Sequence, residues 1–195
     1  DGGFIADWLE VEKFKLREEI EGEINDKRGY CVKNAQRKFF KDSKNGVERL
    51  GYMEDIDGIT PQALYECYKQ LIADSIVEIF VTADEDKTIT EKFTAAFADH
   101  KECTAQILPI EVMPKTEVEN FSESLDIVQG KVCLFYTTER QLTEDERYVM
   151  LVASSIFGGT ASSRLFKNVR EKQSLCYYCA AAYNGFTASM RVDSG

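Results

Sequence analysis

Apolar and polar residues alternate at helical spacing from Trp8 to Ile20, so the chain opens on an amphipathic helix. Leu9, Glu12, Leu16, Glu19 and Ile20 fall on one side of it, which puts two carboxylates where a packing helix carries apolar groups. Glu12 and Glu19 are two turns apart and point the same way. A carboxylate turned into an apolar face needs a cation, a metal or a set of donors to meet it, which makes this helix a candidate site. The competing reading is a mostly solvated helix with a different phase.

The pattern continues as a second helix over 28–42, with Tyr30, Ala35, Phe39 and Phe40 available for packing, ended by the polar run 42–46. Thr60-Pro61 marks a third helix start, Thr60 as N-cap and Pro61 in the first turn, running through Leu64, Cys67, Tyr68 and Leu71. Residues 76–82 read as a largely apolar, central strand, and 87–100 as another amphipathic helix. Residues 103–125 carry two prolines and no stripe, a linker or crossing segment. A strand over 131–137 follows. Thr143 to Glu146 forms a capping box opening a helix through Val149, Val152 and Ile156 to Gly158-Gly159, then comes a short helix over 162–172. Strands over 175–183 and 186–192, joined at Asn184-Gly185, should form an antiparallel hairpin.

Composition narrows the function classes. The 195 residues are 44% hydrophobic and 30% charged with three prolines, an ordinary globular make-up. A net charge of -10 argues against nucleic acid and anionic membranes as partners and suits a cationic peptide. No apolar run approaches the roughly 18 residues of a membrane span, and no signal peptide opens the chain. The six cysteines lack a disulfide-framework spacing, which favours a reducing cytoplasm. Cys176-x-x-Cys179 is the one suggestive pair, but residues three apart on a strand face opposite sides, which speaks against a zinc or redox role. The missing initiator Met and the closing strand near Val192 suggest an excised fragment.

Two sets of motifs carry a family resemblance. The run Glu12-Lys13-Phe14-Lys15-Leu16-Arg17-Glu18-Glu19-Ile20, with Leu50-Gly51, Ile59-Thr60-Pro61 and Leu64-Tyr65, resembles the second half of a peptidase domain of the pitrilysin, insulysin and mitochondrial processing peptidase family. The run from Ile156 through Gly158-Gly159 and Ser162-Ser163-Arg164-Leu165-Phe166, with Val169-Arg170-Glu171-Lys172 and Leu175-Cys176-Tyr177-Tyr178, resembles the first half of that family's next, homologous domain. Active members are zinc enzymes whose H-x-x-E-H helix supplies two His ligands and the general base. The resemblance implies that Glu19 occupies the distal zinc-ligand position and Glu12 that of a supporting acid. It also implies that Arg170 and Tyr177 match the pair that binds the substrate carbonyl and oxyanion. His100 is the only histidine, and residues 43–48 lack the family's His-Pro-aromatic-Gly turn, so the chain cannot by itself build the zinc site and leans toward a degenerate, small bacterial subclass.

The expected fold is α+β, a mainly antiparallel sheet with helices packed on one face. It comprises the C-terminal half of one peptidase-like domain over 1–108, a linker over 109–125 and the N-terminal half of the next over 126–195. The two halves are expected to dock as a pseudo-domain or to exchange between chains as a domain-swapped homodimer. Two functions follow from the resemblance. In one, the chain is part of a zinc endopeptidase that hydrolyses peptides in a two-halved chamber, with zinc as its cofactor but none expected on this fragment. In the other, it belongs to a non-catalytic homologue that binds substrate or regulates an active partner subunit.

Overall fold

The computed structural model describes residues 3–41, 43–82, 87–98, 112, 117–138 and 140–195. The chain divides into two compact units, one from residues 1–15 and 54–108, the other from 16–53 and 109–195. Residues 99 and 100, the end of the helix expected over 87–100, and all of 103–116 except residue 112 lie outside the described residues; 117–125 of the expected linker carry no helix or strand. None of the described helices is long and apolar enough to cross a membrane.

The first unit is helical. It takes the first turns of α1 (Ala6–Gly22), a 3-10 turn over Met53–Gly58, α3 (Pro61–Asp74) and α4 (Lys87–Ala96). Leu9 and Ile56 are its buried aliphatic residues, and the Phe4 ring meets Tyr65 and Tyr68 edge-on at 5.7 and 6.0 Å. Thr60 caps α3 as the sequence predicts, its Oγ1 accepting from the Ala63 amide at 3.2 Å, with Pro61 in the first turn. Residues 76–82 are not a strand: the segment is irregular, with Ile79, Phe80 and Val81 exposed. Apolar β-formers make a strand only against a second strand, and the described residues offer this segment none.

The second unit holds the sheet, three antiparallel strands in the order β1 (Val132–Thr137), β3 (Ser189–Ser194), β2 (Cys179–Asn184). The α+β class is as the pattern predicts, but the helices lie on both faces of this sheet and not on the one face expected, because alternation gives each face apolar residues to cover. On one face Phe135 stacks on Phe39 of α2 (Lys27–Phe39) at 5.3 Å and meets Phe40, just past the helix, edge-on at 6.0 Å. On the same face Arg28 of α2 donates from Nε to Asp193 at 2.7 Å, and Arg191 Nε lies 3.1 Å from the other carboxylate oxygen. Asp193 is fully buried, so these two guanidinium groups are what make its charge tolerable. On the opposite face, α5 (Glu144–Ser154) and the π-helical turn Ser155–Gly159 cover β2.

Glycine is required at the centre of that contact. A Cβ on Gly158 would sit 2.5 Å from the Ala181 amide nitrogen and 2.7 Å from its Cβ, so only a glycine lets the π turn lie against β2. The expected helix to Gly159 thus changes from α to π after Ser154, and the expected helix over 162–172 is largely a second π-helical stretch, Phe166–Glu171. The hairpin forms, but not as a two-residue Asn-Gly turn. Asn184 pairs with Ser189, leaving a four-residue loop in which Asn184 Oδ1 accepts from the Phe186 amide and Ala188 takes the left-handed conformation at φ 47°.

Candidate functional site

Helix α1 does not turn its acids inward. Its buried side is Leu9 and Lys13, continued by the half-buried Leu16, Arg17 and Ile20, a regular i, i+4, i+7, i+8 stripe. Glu12 and Glu19 lie beside that stripe, with side chains 66% and 58% exposed. Glu12 is paired with Lys15 at 2.5 Å and Glu19 with Arg49 at 3.4 Å. The expected phase fails because Lys13 and Arg17 bury their aliphatic stems, a use of long basic residues that a hydrophobic-polar pattern scores as solvent-facing. Seven residues of helix also separate the two acids by about 10 Å, too far to share an ion. Among the described residues no group of three or more His, Cys, Asp or Glu side chains could hold a metal. The described residues of α1 therefore do not make a zinc site, and His100 lies outside the described residues.

Arg170 and Tyr177 are brought together. Both line an open surface hollow of about 370 Å³ in the second unit, with Gln129, Glu171, Ser174, Leu175 and Cys176. Arg170 projects from the second π-helical stretch, its guanidinium 4.5 Å from the Phe166 ring centroid, four residues back. The stretch ends in a reversal built around Ser174 at φ 52°, where the Ser174 amide donates to the Arg170 carbonyl and the Leu175 amide to that of Val169. These bonds reach one residue further than the usual helix-terminal closure, as the wider π repeat demands. The reversal carries the chain straight from Arg170 to Tyr177.

A bulge then sets Tyr177. The amides of Tyr177 and Tyr178 both donate to the Gly195 carbonyl, at 2.8 and 3.1 Å, while the Gly195 amide returns a bond to Tyr178. Two residues thus oppose one, and the tyrosine pair is split. Tyr178 goes to the α2 face, under the Arg28 guanidinium at 4.3 Å. Tyr177 stays at the hollow, 81% exposed. Cys179 opens β2 and is buried, whereas Cys176 precedes the strand and lines the pocket. Burial pushes the Cys179 thiol above its ordinary range, the Cys176 thiol adds to that, and the Arg170 guanidinium pulls the other way. No local sequence signal announces this bulge, since it depends on Gly195.

What the hollow offers chemically is donors: a guanidinium and a phenol that both line it, beside an exposed carboxylate, Glu171. Donors of this kind hold a carbonyl or carboxylate oxygen. The described residues around it include no histidine and no metal-binding cluster.

Known proteins bear on this geometry. Over its full length the chain superposes on a conserved protein from Enterococcus faecalis, whose crystal structure gives a TM-score of 0.88 at 26% identity and is matched over 46% of its own chain. Among curated proteins it is 28% identical to YmfF of Bacillus subtilis, named a "probable inactive metalloprotease", over 98% of this chain and 45% of that protein. It is 26% identical to an uncharacterized zinc protease of Streptomyces coelicolor, over 91% of this chain and 40% of the relative. The chain thus spans less than half the length of the relatives it matches. Residues 58–195 match the family model described as the peptidase M16 inactive domain, a match that includes Arg170 and Tyr177, and the chain belongs to that family, the pitrilysin-type metallopeptidases.

Proposed function

We propose that this chain supplies the substrate-holding side of a peptide-binding chamber and does not itself hydrolyse peptides. The observation that carries this reading is the open hollow that Arg170 and Tyr177 both line, a cation and a phenol beside one another without a metal-binding cluster among the described residues. A backbone carbonyl of an extended peptide would accept from both groups. The chain's charge of -10 favours cationic peptides, and β1 and β2 each flank only β3 among the described residues, so a peptide strand could add at an edge. In this reading the chain acts in the cytoplasm as a substrate-binding or regulatory subunit that completes a chamber with an active, zinc-containing homologue. Glu12 and Glu19 would then keep the family positions while serving only their ion pairs with Lys15 and Arg49.

The experiment is a titration of a fluorescently labelled, unstructured cationic peptide with the chain. Arg170→Ala and Tyr177→Phe should each weaken binding by about tenfold, the loss of one charge-assisted or phenol hydrogen bond. Equal affinity for both variants and the unaltered chain would overturn the reading. The other function, part of an active zinc endopeptidase, is favoured by the name of the Streptomyces relative. Tightly bound zinc together with peptide hydrolysis by the full-length protein would select it.

A further inference from the structure

Arg28 holds two groups at once. Its Nε donates to the buried Asp193 at 2.7 Å, 165 positions further along the chain, and its guanidinium carbon lies 4.3 Å from the centroid of the Tyr178 ring. A flat, forked cation can divide itself in this way; a lysine ammonium, a single point charge, cannot. A second cation meets the same ring, since Lys131 Nζ is 5.4 Å from its centroid and donates to Gln129 Oε1 at 2.6 Å. The Tyr178 backbone is fixed as well, its carbonyl accepting from the Ser194 hydroxyl at 3.0 Å and from the Gly195 amide at 3.2 Å. Tyr178 is therefore held at ring and backbone, whereas Tyr177, one residue before it, is 81% exposed and takes its direction from the backbone that carries it. We infer that Arg28 is a positioning residue for the hollow of Arg170 and Tyr177: by stacking on Tyr178 it fixes the bulge from which Tyr177 projects.

The relay is short. Neither Arg28 nor Tyr178 lines the hollow, but Tyr177 and Gln129 do. The amides of Tyr177 and Tyr178 share the Gly195 carbonyl, at 2.8 and 3.1 Å, so any movement of Tyr178 changes the bonds that orient Tyr177. Asp193 anchors the guanidinium from below, its side chain only 2% exposed against 46% for that of Arg28, and a buried carboxylate cannot follow the cation into water. With one end of the guanidinium tied down, its plane stays on the ring. Lys131 extends the support from the same ring to Gln129, a second residue of the hollow's wall. Helix α2 thus reaches a site that it does not touch. The effect on peptide holding rests on the function proposed above, while the relay from Arg28 to the bulge does not.

Two readouts on the whole chain keep those apart. Amide hydrogen exchange needs no peptide: Arg28→Lys, which keeps a charge beside Asp193, should speed exchange at the Tyr177 and Tyr178 amides by about fivefold or more, with the amides in the middle of β3 unchanged. In the titration with the labelled cationic peptide, Arg28→Lys and Tyr178→Leu should each weaken binding by about fivefold, and Tyr178→Phe, which restores the ring, should recover affinity to within about twofold of the unaltered chain. Arg28→Lys combined with Tyr178→Leu should bind no more weakly than either alone, because both break one contact. The Tyr178 variants leave the ion pairs of Asp193 in place, so they carry the test even where Arg28→Lys folds poorly. Unchanged exchange at Tyr177 and Tyr178 in Arg28→Lys, faster exchange spread evenly through β3, additive losses in the double variant, or a Tyr178→Phe chain as weak as Tyr178→Leu overturns the inference. An unaltered chain that binds no peptide overturns the peptide-holding function instead, and exchange at the bulge then decides the role of Arg28 by itself.

Discussion

At the scale of single residues, the tightest constraint is Gly158 against Ala181. A methyl group there would fall 2.5 Å from the backbone nitrogen of a paired strand, which cannot move aside without breaking the sheet. Gly158→Ala should therefore destabilise the second unit by about 1–3 kcal/mol in urea denaturation, the range of an overpacked core. Cys133 gives a pH signature. Burial beneath α2 pushes its thiol from 9.0 to about 12, with the Cys31 thiol adding to the effect. The folded chain thus keeps a proton that the unfolded chain loses, so this contribution is complete below about pH 9 and is lost as pH rises through about 12. Cys133→Ala should flatten the alkaline fall in stability over that window, measured by denaturation at several pH values. Residue roles were unevenly legible in the sequence. Arg170 and Tyr177 could be found from their motif, and they line one hollow. The acids of α1 could not be oriented, because Lys13 and Arg17 bury carbon while counting as charge.

At the scale of elements, local chemistry was legible and partner-dependent geometry was not. The caps at Thr60 and Thr143 are where the sequence puts them, since a cap needs only residues within one turn. The irregular 76–82 segment, the π turns and the bulge at Tyr177 depend on distant chain, and pattern alone could not supply them. The capping box of α5 makes its own prediction. Arg140 grips Glu146 at both oxygens, 2.6 and 2.8 Å, and the Thr143 amide donates to the same carboxylate at 2.9 Å. Together, Arg140 first, they hold Glu146 at about 2 against 4.5 for a free side chain. A lowered folded value means the stabilisation is present above about pH 4.5 and lost as pH falls through about 2. In a carboxyl-carbon NMR titration, Arg140→Ala should raise the Glu146 midpoint more than Thr143→Ala, because the amide of residue 143 survives the second substitution. Thr143→Ala should nevertheless cost about 1 kcal/mol through the lost cap.

At the scale of the whole molecule, the sheet is covered unevenly. The π turn and α5 lie over β2, while on the same face Val132, Leu134 and Tyr136 of β1 remain 45–51% exposed, and Tyr148, Val149, Leu151 and Val152 of α5 are exposed as well. A monomer rarely leaves so many large apolar side chains in water, and each that becomes buried in an interface contributes roughly 25 cal/mol per Å² removed. For the chain on its own, the expected outcome is association with a second copy through the bare side of β1. Light scattering and sedimentation at micromolar concentration should find it larger than a monomer. The pair of substitutions Leu134→Lys and Tyr136→Lys places two charges on that face without touching the Phe135 side that packs on α2, and should return the chain to a monomer with its circular dichroism unchanged. A monomeric unaltered chain, or a doubly substituted chain that still associates, would mean that the bare face of β1 is not where copies meet.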